Sequence, residues 1–294
     1  MTTQPAIGFI GLGLMGQGFT RRLAESGFKV TGYDIAAEKV KAAAAHGVAP
    51  AASPAAVAAA SDIVLVCVTS TNAVREAVFG SGGIVEASGT GKVLVDHSTT
   101  EVEATKQFAA DLLKRSGMKW VDAPVSGGPG AAASGSLAIM AGGDAEAIRQ
   151  VELVMAKLAA KFTPMGDVGA GQITKLINQV LVLTNYCVIA EAIRLGEKCG
   201  IDVAKIPEAL ATGHAGSNLL KDVTPRLVDR DFAPRGYVRQ VLKDLDMVHD
   251  LAKEVKAPTP MASQAASLFR LMVARGHSEL DACAVMRLYL DEPV

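Results

Sequence analysis

The sequence predicts an α/β protein in two parts: a doubly wound parallel sheet, then an all-helical domain joined to it by a long interdomain helix. Three observations predict it. Strand-like and helix-like segments alternate from Ile7 to about Thr163. A glycine-rich turn separates the first strand from the first helix. Beyond Gly166 the alternation stops and only helical periodicity remains.

The elements follow in order. Ile7 to Ile10 is a short buried strand, and Met15 to Ser26 a helix that Gly27 stops. Lys29 to Asp34 is the next strand, and Ala37 to Ala45 an Ala-rich helix ended by Gly47. Ile63 to Val68 is fully apolar, as strands buried on both faces of a parallel sheet are. Ala73 to Phe79 reads as helix, Val93 to Asp96 as strand and Glu101 to Arg115 as helix. Strands Trp120 to Asp122 and Leu137 to Met140 follow, then helix Ala145 to Leu158 and a last strand over Lys161 to Thr163. The biased run from Ala42 to Ala60 is helix-compatible, not linker.

From Gly169 a helical stretch runs to about Cys199, roughly 30 residues or on the order of 45 Å. It is apolar on most of its circumference, so burial between other elements is expected. The remainder is helical pattern with breaks expected at Gly213, Gly216, Pro225, Gly236, Pro258 and Pro260. The boundary is expected near Pro164 to Gly169, giving domains over 1–165 and 166–294. A length of 294 residues fits two domains at roughly 150 each.

Composition excludes several classes. There are 29 Lys and Arg against 30 Asp and Glu, a net charge of −1, which argues against a nucleic-acid surface. Half the residues are apolar and 20% charged, so a large core is expected and disorder is not. The N-terminus has no signal-peptide pattern. The longest apolar candidate, Leu176 to Ala190, is short for a membrane span and holds Asn178, Gln179 and Asn185, so no membrane partner is expected. Cys67, Cys187, Cys199 and Cys283 have neither disulfide nor metal spacing, which fits a reducing, cytoplasmic setting. His46, His249 and His277 form no zinc pattern, and no metal is expected. Lys39, Lys41 and the cluster from Lys253 to Lys256 read as solvated helix faces.

Gly11-Leu12-Gly13-Leu14-Met15-Gly16 is a G-x-G-x-x-G run between a strand and a helix, the context of a Rossmann-type dinucleotide fingerprint. Gly11 allows the tight turn, Gly13 admits the pyrophosphate, and Gly16 lets helix and strand pack closely. Asp34 lies 18 residues after Gly16, where an acid hydrogen-bonds the adenosine ribose. It would repel a 2′-phosphate, and Ile35-Ala36-Ala37 supplies no Arg. NAD is therefore expected over NADP.

Val125-Ser126-Gly127-Gly128 follows a strand end, where consecutive N–H groups can face an anion. A substrate carboxylate is one reading and a plain surface loop the other. Asp96-His97-Ser98-Thr99 ends another strand, at the edge where open α/β sheets bind ligands. Within it, His97 reads as a packed core histidine, with substrate contact as the other possibility. Lys175 lies early in the long helix, with Asn178 at i+3 on the same face. It reads either as a solvated charge or, in so apolar a stretch beside the domain boundary, as a proton-exchanging group in an interdomain cleft.

These runs, in this order, resemble the β-hydroxyacid dehydrogenase family, which holds 3-hydroxyisobutyrate dehydrogenase, tartronate semialdehyde reductase and threonate dehydrogenase. The resemblance also covers Gly171-Gln172-Ile173-Thr174-Lys175-Leu176-Ile177-Asn178 and Lys243-Asp244-Leu245. It implies that Lys175 is the catalytic lysine and Asn178 its substrate-orienting partner. It implies a carboxylate site at Ser126, Gly127 and Gly128, and places Thr99 at substrate and nicotinamide. It implies cofactor contacts at Val68, Thr69 and Lys243, and a homodimer or homotetramer. The activity implied is NAD(P)-dependent hydride transfer to or from a short β-hydroxy acid or its semialdehyde.

The family's usual Leu-Pro is absent at Val68-Thr69, and Val102 stands where it has proline. Gln179 replaces the second of its paired asparagines, and Phe19 a common methionine. None of these removes a group the chemistry needs. Gln179, with His214 to Asn218, leans toward the tartronate semialdehyde and hydroxymethylglutarate branch. The alternatives are an imine reductase-like enzyme, a phosphogluconate-type decarboxylating dehydrogenase and a non-catalytic NAD-binding module. Lys175 argues against the first, the length against the second, and the intact Lys175, Asn178 and Ser126 set against the third.

Overall fold

The computed structural model describes residues 4–87 and 89–290. They form two compact units, one ending at Lys175 and one beginning at Leu176.

The first unit is built on one mixed sheet. Its strands are β1 (Ile7–Ile10), β2 (Val30–Tyr33), β3 (Ala49–Pro50), β4 (Ile63–Val66), β5 (Val93–Asp96), β6 (Lys119–Asp122), β7 (Val125–Ser126), β8 (Leu137–Gly143) and β9 (Ala159–Gly166). The order is β3-β2-β1-β4-β5-β6-β8-β7, with β9 also on β8. The pairs from β3 to β6 are parallel, whereas β8 runs antiparallel to β6 and β7. The order reverses direction between β1 and β4, the topological switch point of a doubly wound sheet.

Alternation along the strands explains the two layers of helix. Ile7 and Phe9, Ile63 and Leu65, and Val93 and Val95 point to one face. That face packs on α1 (Leu14–Glu25), α2 (Ala37–Ala44), α6 (Gly128–Ser134) and α7 (Ala145–Leu158). Ile10, Val64, Val66 and Leu94 point to the other. There they meet α3 (Pro54–Ala59), α4 (Thr71–Phe79) and α5 (Val102–Ser116).

Four short elements go beyond the sequence reading: β3, α3, β7 and α6. Helix α3 did carry a local start signal, because the Ser53 hydroxyl accepts from the Ala56 N–H at 3.1 Å and Pro54 occupies its first turn. Helix α6, Gly-Pro-Gly-Ala-Ala-Ala-Ser, has Pro129 in its first turn but no side-chain cap. Its packing against α1 sets it: a Cβ on Gly18 would stand 3.0 Å from the Ala132 Cβ.

Helix α8 (Ala170–Lys198) has 29 residues. It is long and apolar enough to cross a membrane. It is not buried all round, as its composition suggested. Ile173, Ile177, Leu181, Val188 and Leu195 are exposed. Their spacing puts them on one stripe about 33 Å long.

The second unit continues with α9 (Ile206–Ala209), α10 (Asn218–Val228), α11 (Val238–Glu254) and α12 (Pro260–Ala274). No strand is assigned in it among the described residues. Pro225, expected as a break, lies inside α10, which runs on to Val228. The buried pair Arg226–Asp281, at 2.9 Å, organises this unit. The other Asp281 oxygen accepts from the N–H groups of Arg235 and Gly236 at 2.7 and 3.0 Å.

Candidate active site

Because β1, β2, β4, β5 and β6 are parallel, the loops at their carboxyl ends share one sheet edge. That edge carries Gly11 to Gly16, Asp34, Val68 and Thr69, Thr99, and Ser126 to Gly128. The fold thus gathers most of the sequence-derived site residues from separate stretches of chain.

The three fingerprint glycines have different causes. Gly11 has φ +95°, and a Cβ there would lie 2.2 Å from the Cys67 carbonyl oxygen. A Cβ on Gly16 would fall within about 2 Å of the Gly11 oxygen, so the turn closes only without it. A Cβ on Gly13 would meet no protein atom within 4 Å, so packing within the chain does not require that glycine. Gly13 is also the N-cap of α1 and gives no side-chain cap to its first N–H groups. An open approach to free helix N–H groups suits a pyrophosphate.

Asp34 is wired to this loop. Its Oδ2 accepts from the Leu12 N–H at 2.7 Å and its Oδ1 from the Ala36 N–H at 2.9 Å. Lys39, read as a solvated residue, has its Nζ 3.7 Å from Oδ1. Ile35 is 92% exposed beside it. Val68 donates its N–H to the Ser98 hydroxyl at 3.0 Å, which ties the loops after β4 and β5 together. Thr69 is exposed and Thr99 half-buried at the same edge.

His97 is buried, with Nδ1 2.7 Å from the Ala123 carbonyl oxygen and its ring stacked on Phe19 at 4.8 Å. Pairing with a carbonyl requires the proton on Nδ1. Burial pushes its pKa down to about 4, so the ring is neutral. Packing explains this residue.

Ser126 closes β7, and Gly127 (φ +130°) turns the chain into α6. Lys175 is buried, and its Nζ donates to the Val125 carbonyl oxygen at 2.8 Å. The lysine therefore stands beside the Ser126-Gly127-Gly128 run. Asn178 follows three residues later on α8 and donates to Gln179 Oε1 at 2.9 Å. Gln179 in turn donates to Asp244 Oδ2 at 2.5 Å, and Lys243 pairs with Asp244 Oδ1 at 2.9 Å. Thus Lys175 groups with the sheet-edge loops, while Asn178 and Lys243 belong to the second unit. No group of three or more His, Cys, Asp or Glu suited to a metal occurs among the described residues.

Sequence reasoning missed Asp122 and Gln172. Asp122 is buried at the end of β6, and its two oxygens accept from the N–H groups of Gly169 and Gln172 at 2.8 and 2.9 Å. The Gln172 amide accepts from the Thr100 N–H at 3.1 Å and donates to the Ser98 carbonyl at 2.9 Å. Gln172 lay inside a quoted motif and Asp122 at the end of an expected strand. Nothing in local spacing told that they would meet across 50 residues of chain.

Fold and glycine loop together define an NAD(P)-dependent oxidoreductase. Residues 6–166 match the family model described as the NAD binding domain of 6-phosphogluconate dehydrogenase. Residues 169–289 match the one described as NAD-binding of NADP-dependent 3-hydroxyisobutyrate dehydrogenase. The chain is 33% identical to the L-threonate dehydrogenase of Cupriavidus necator, over 96% of this chain and 95% of that one. It is 34% identical to the 2-hydroxy-3-oxopropionate reductase of Escherichia coli, over 96% of each. The crystal structure of 3-hydroxyisobutyrate dehydrogenase from Salmonella typhimurium superposes with a TM-score of 0.89 at 29% identity, covering 97% of this chain and all of that one. The chain belongs to the 3-hydroxyisobutyrate dehydrogenase family of β-hydroxyacid dehydrogenases.

Proposed function

We propose that the protein interconverts a short β-hydroxy acid and its carbonyl form, with Lys175 as general acid and base. One observation carries this reading: the Lys175 Nζ is held 2.8 Å from the Val125 carbonyl, next to the Ser126-Gly127-Gly128 run. NAD bound at the glycine loop supplies the hydride acceptor for oxidation, or NADH the donor for reduction. Ser126 and the N–H groups of Gly127 and Gly128 hold the substrate carboxylate, and Thr99 contributes beside them. Lys175 takes the hydroxyl proton on oxidation and returns it on reduction. Asn178 orients that hydroxyl. Fixing the carboxylate places the reacting carbon, an orientation effect.

Leu12, Leu14, Met15, Val68 and Thr69 complete the cofactor loops, and Lys243 is a further cofactor contact. Asp34 favours NAD, because its carboxylate repels a 2′-phosphate and can accept from ribose hydroxyls. The substrate class is supported by the names of the relatives, an L-threonate dehydrogenase and a 2-hydroxy-3-oxopropionate reductase. A homo-oligomer, dimer or tetramer, is supported by the exposed apolar stripe of α8.

Initial rates with L-threonate, 3-hydroxyisobutyrate and 2-hydroxy-3-oxopropionate, each with NAD(H) and NADP(H), test the reading. Turnover of at least one, faster with NAD(H), is expected. Tight NADH binding with no turnover of any of the three would contradict it.

A further inference from the structure

We infer that Asp122 and Gln172 form a clasp that positions Lys175. The inference rests on Lys175 as the acid and base, and adds how it is aimed.

The clasp has two ties. In the first, the Asp122 carboxylate at the end of β6 receives the N–H groups of Gly169 and Gln172, at 2.8 and 2.9 Å. Three residues further along each segment, the Val125 carbonyl receives the Lys175 Nζ at 2.8 Å. Strand-end residues 122 and 125 thus hold the helix start in register. In the second, the Gln172 amide donates to the Ser98 carbonyl at 2.9 Å and accepts from the Thr100 N–H at 3.1 Å. It fixes the β5 loop on both sides of Thr99.

Close packing enforces the arrangement. A Cβ on Gly171 would lie 2.4 Å from the Asp122 carbonyl oxygen and 2.8 Å from its Oδ2. A Cβ on Gly142 would lie 2.7 Å from Oδ1. Glycine at both positions lets helix, strand and carboxylate meet. An ionised carboxylate at a helix start also satisfies donors that no backbone carbonyl can reach, and complements the helix dipole. The first turn of α8 accordingly belongs to the sheet unit, which ends at Lys175 itself. Asp122 and Gln172 leave no free polar atom to offer a substrate, so their role is positioning. A buried lysine moved by about 1 Å can lose on the order of a hundredfold in rate.

The test compares Asp122→Asn, Gln172→Met and Lys175→Ala with the wild type. It uses the fastest β-hydroxy acid of the panel above, with NADH affinity measured by fluorescence titration. For Asp122→Asn and Gln172→Met we expect kcat to fall tenfold or more. NADH Kd should stay within twofold, because the glycine loop and Asp34 are untouched, and any rise in substrate KM through the Thr99 loop should be smaller than the fall in kcat. A merely structural role would move NADH affinity and kcat together, and that result overturns the inference. So does a kcat within twofold of wild type in both clasp variants when Lys175→Ala is inactive. Should Asp122→Asn fail to fold, Gln172→Met, which leaves the carboxylate in place, must still show the split. Near wild-type turnover by Lys175→Ala would instead sink the acid-base assignment on which the clasp depends.

Discussion

At the residue scale, two acids on neighbouring strands show what burial does to a carboxyl group. Asp96 and Asp122 are register partners on β5 and β6. Burial pushes Asp122 up to about 6, against the pull of the N–H groups it receives. Asp96 accepts from the Ser98 N–H at 2.9 Å, while its second oxygen has no partner among the described residues. Burial pushes it up to about 7. An unfolded aspartate titrates near ~4. Between about pH 4 and 7 the folded chain therefore keeps a proton that the unfolded chain has released. Stability falls as pH rises through that window. Replacing Asp96 by Asn should remove most of this loss. The difference in Tm, variant minus wild type, is expected to grow from pH 5 to pH 8. A flat difference by scanning calorimetry would contradict the account.

Asp34 makes a second prediction. Asp34→Ser removes the charge that opposes a 2′-phosphate but leaves Lys39, whose Nζ is 3.7 Å from that carboxylate. The NAD-to-NADP ratio of kcat/KM is expected to drop tenfold or more. An unchanged ratio would place cofactor choice elsewhere. The turn geometry of Gly11 and Gly16 and the place of Asp34 beside it were legible, because each follows from local spacing. Lys39 was not, since its partner lies across a turn. Asp122 was read as a strand end and given no role, because its partners arrive from the start of α8, 47 and 50 residues later.

At the element scale, the strands were the most legible part. Runs such as Ile63 to Val66 are apolar throughout because both faces are covered by helices. Leu65 is fully buried at the centre of one face. Leu65→Ala should cost roughly 3 kcal/mol, within the range of ~2–5 for such truncations, read as a lower midpoint in urea. A loss under about 1 kcal/mol would mean the sheet repacks. Helix α6 escaped the sequence because its stability comes from packing on α1, not from propensity. The burial of α8 was misjudged for a related reason. Apolar composition all round a helix reveals what it tolerates, not which face is covered. Its stripe from Ile173 to Leu195 is open in the single chain.

For the whole molecule, that stripe makes a prediction about assembly. Leu181→Lys combined with Leu195→Lys should lower the mass seen by light scattering to that of one 30.4 kDa chain. An unchanged oligomer would move the interface away from α8. The near-neutral charge also acquires a use. With 29 cations against 30 anions, the chain carries no net positive charge to gather an anionic substrate at long range. Under the proposed function, capture falls to local groups: the backbone N–H groups of the Ser126-Gly127-Gly128 run. The division into a sheet unit and a helical unit was legible in the loss of strand alternation after Gly166. The contact boundary after Lys175 was not, because the clasp that draws the first turn of α8 to the sheet is tertiary.

The central claim is that Lys175, aimed from the sheet edge, moves the substrate proton. The most direct test is kcat of Lys175→Ala for the best β-hydroxy acid, measured with NADH Kd on the same preparation. The account predicts a loss of about 10²–10⁴-fold in kcat with NADH affinity unchanged within twofold. A kcat within tenfold of wild type would contradict it.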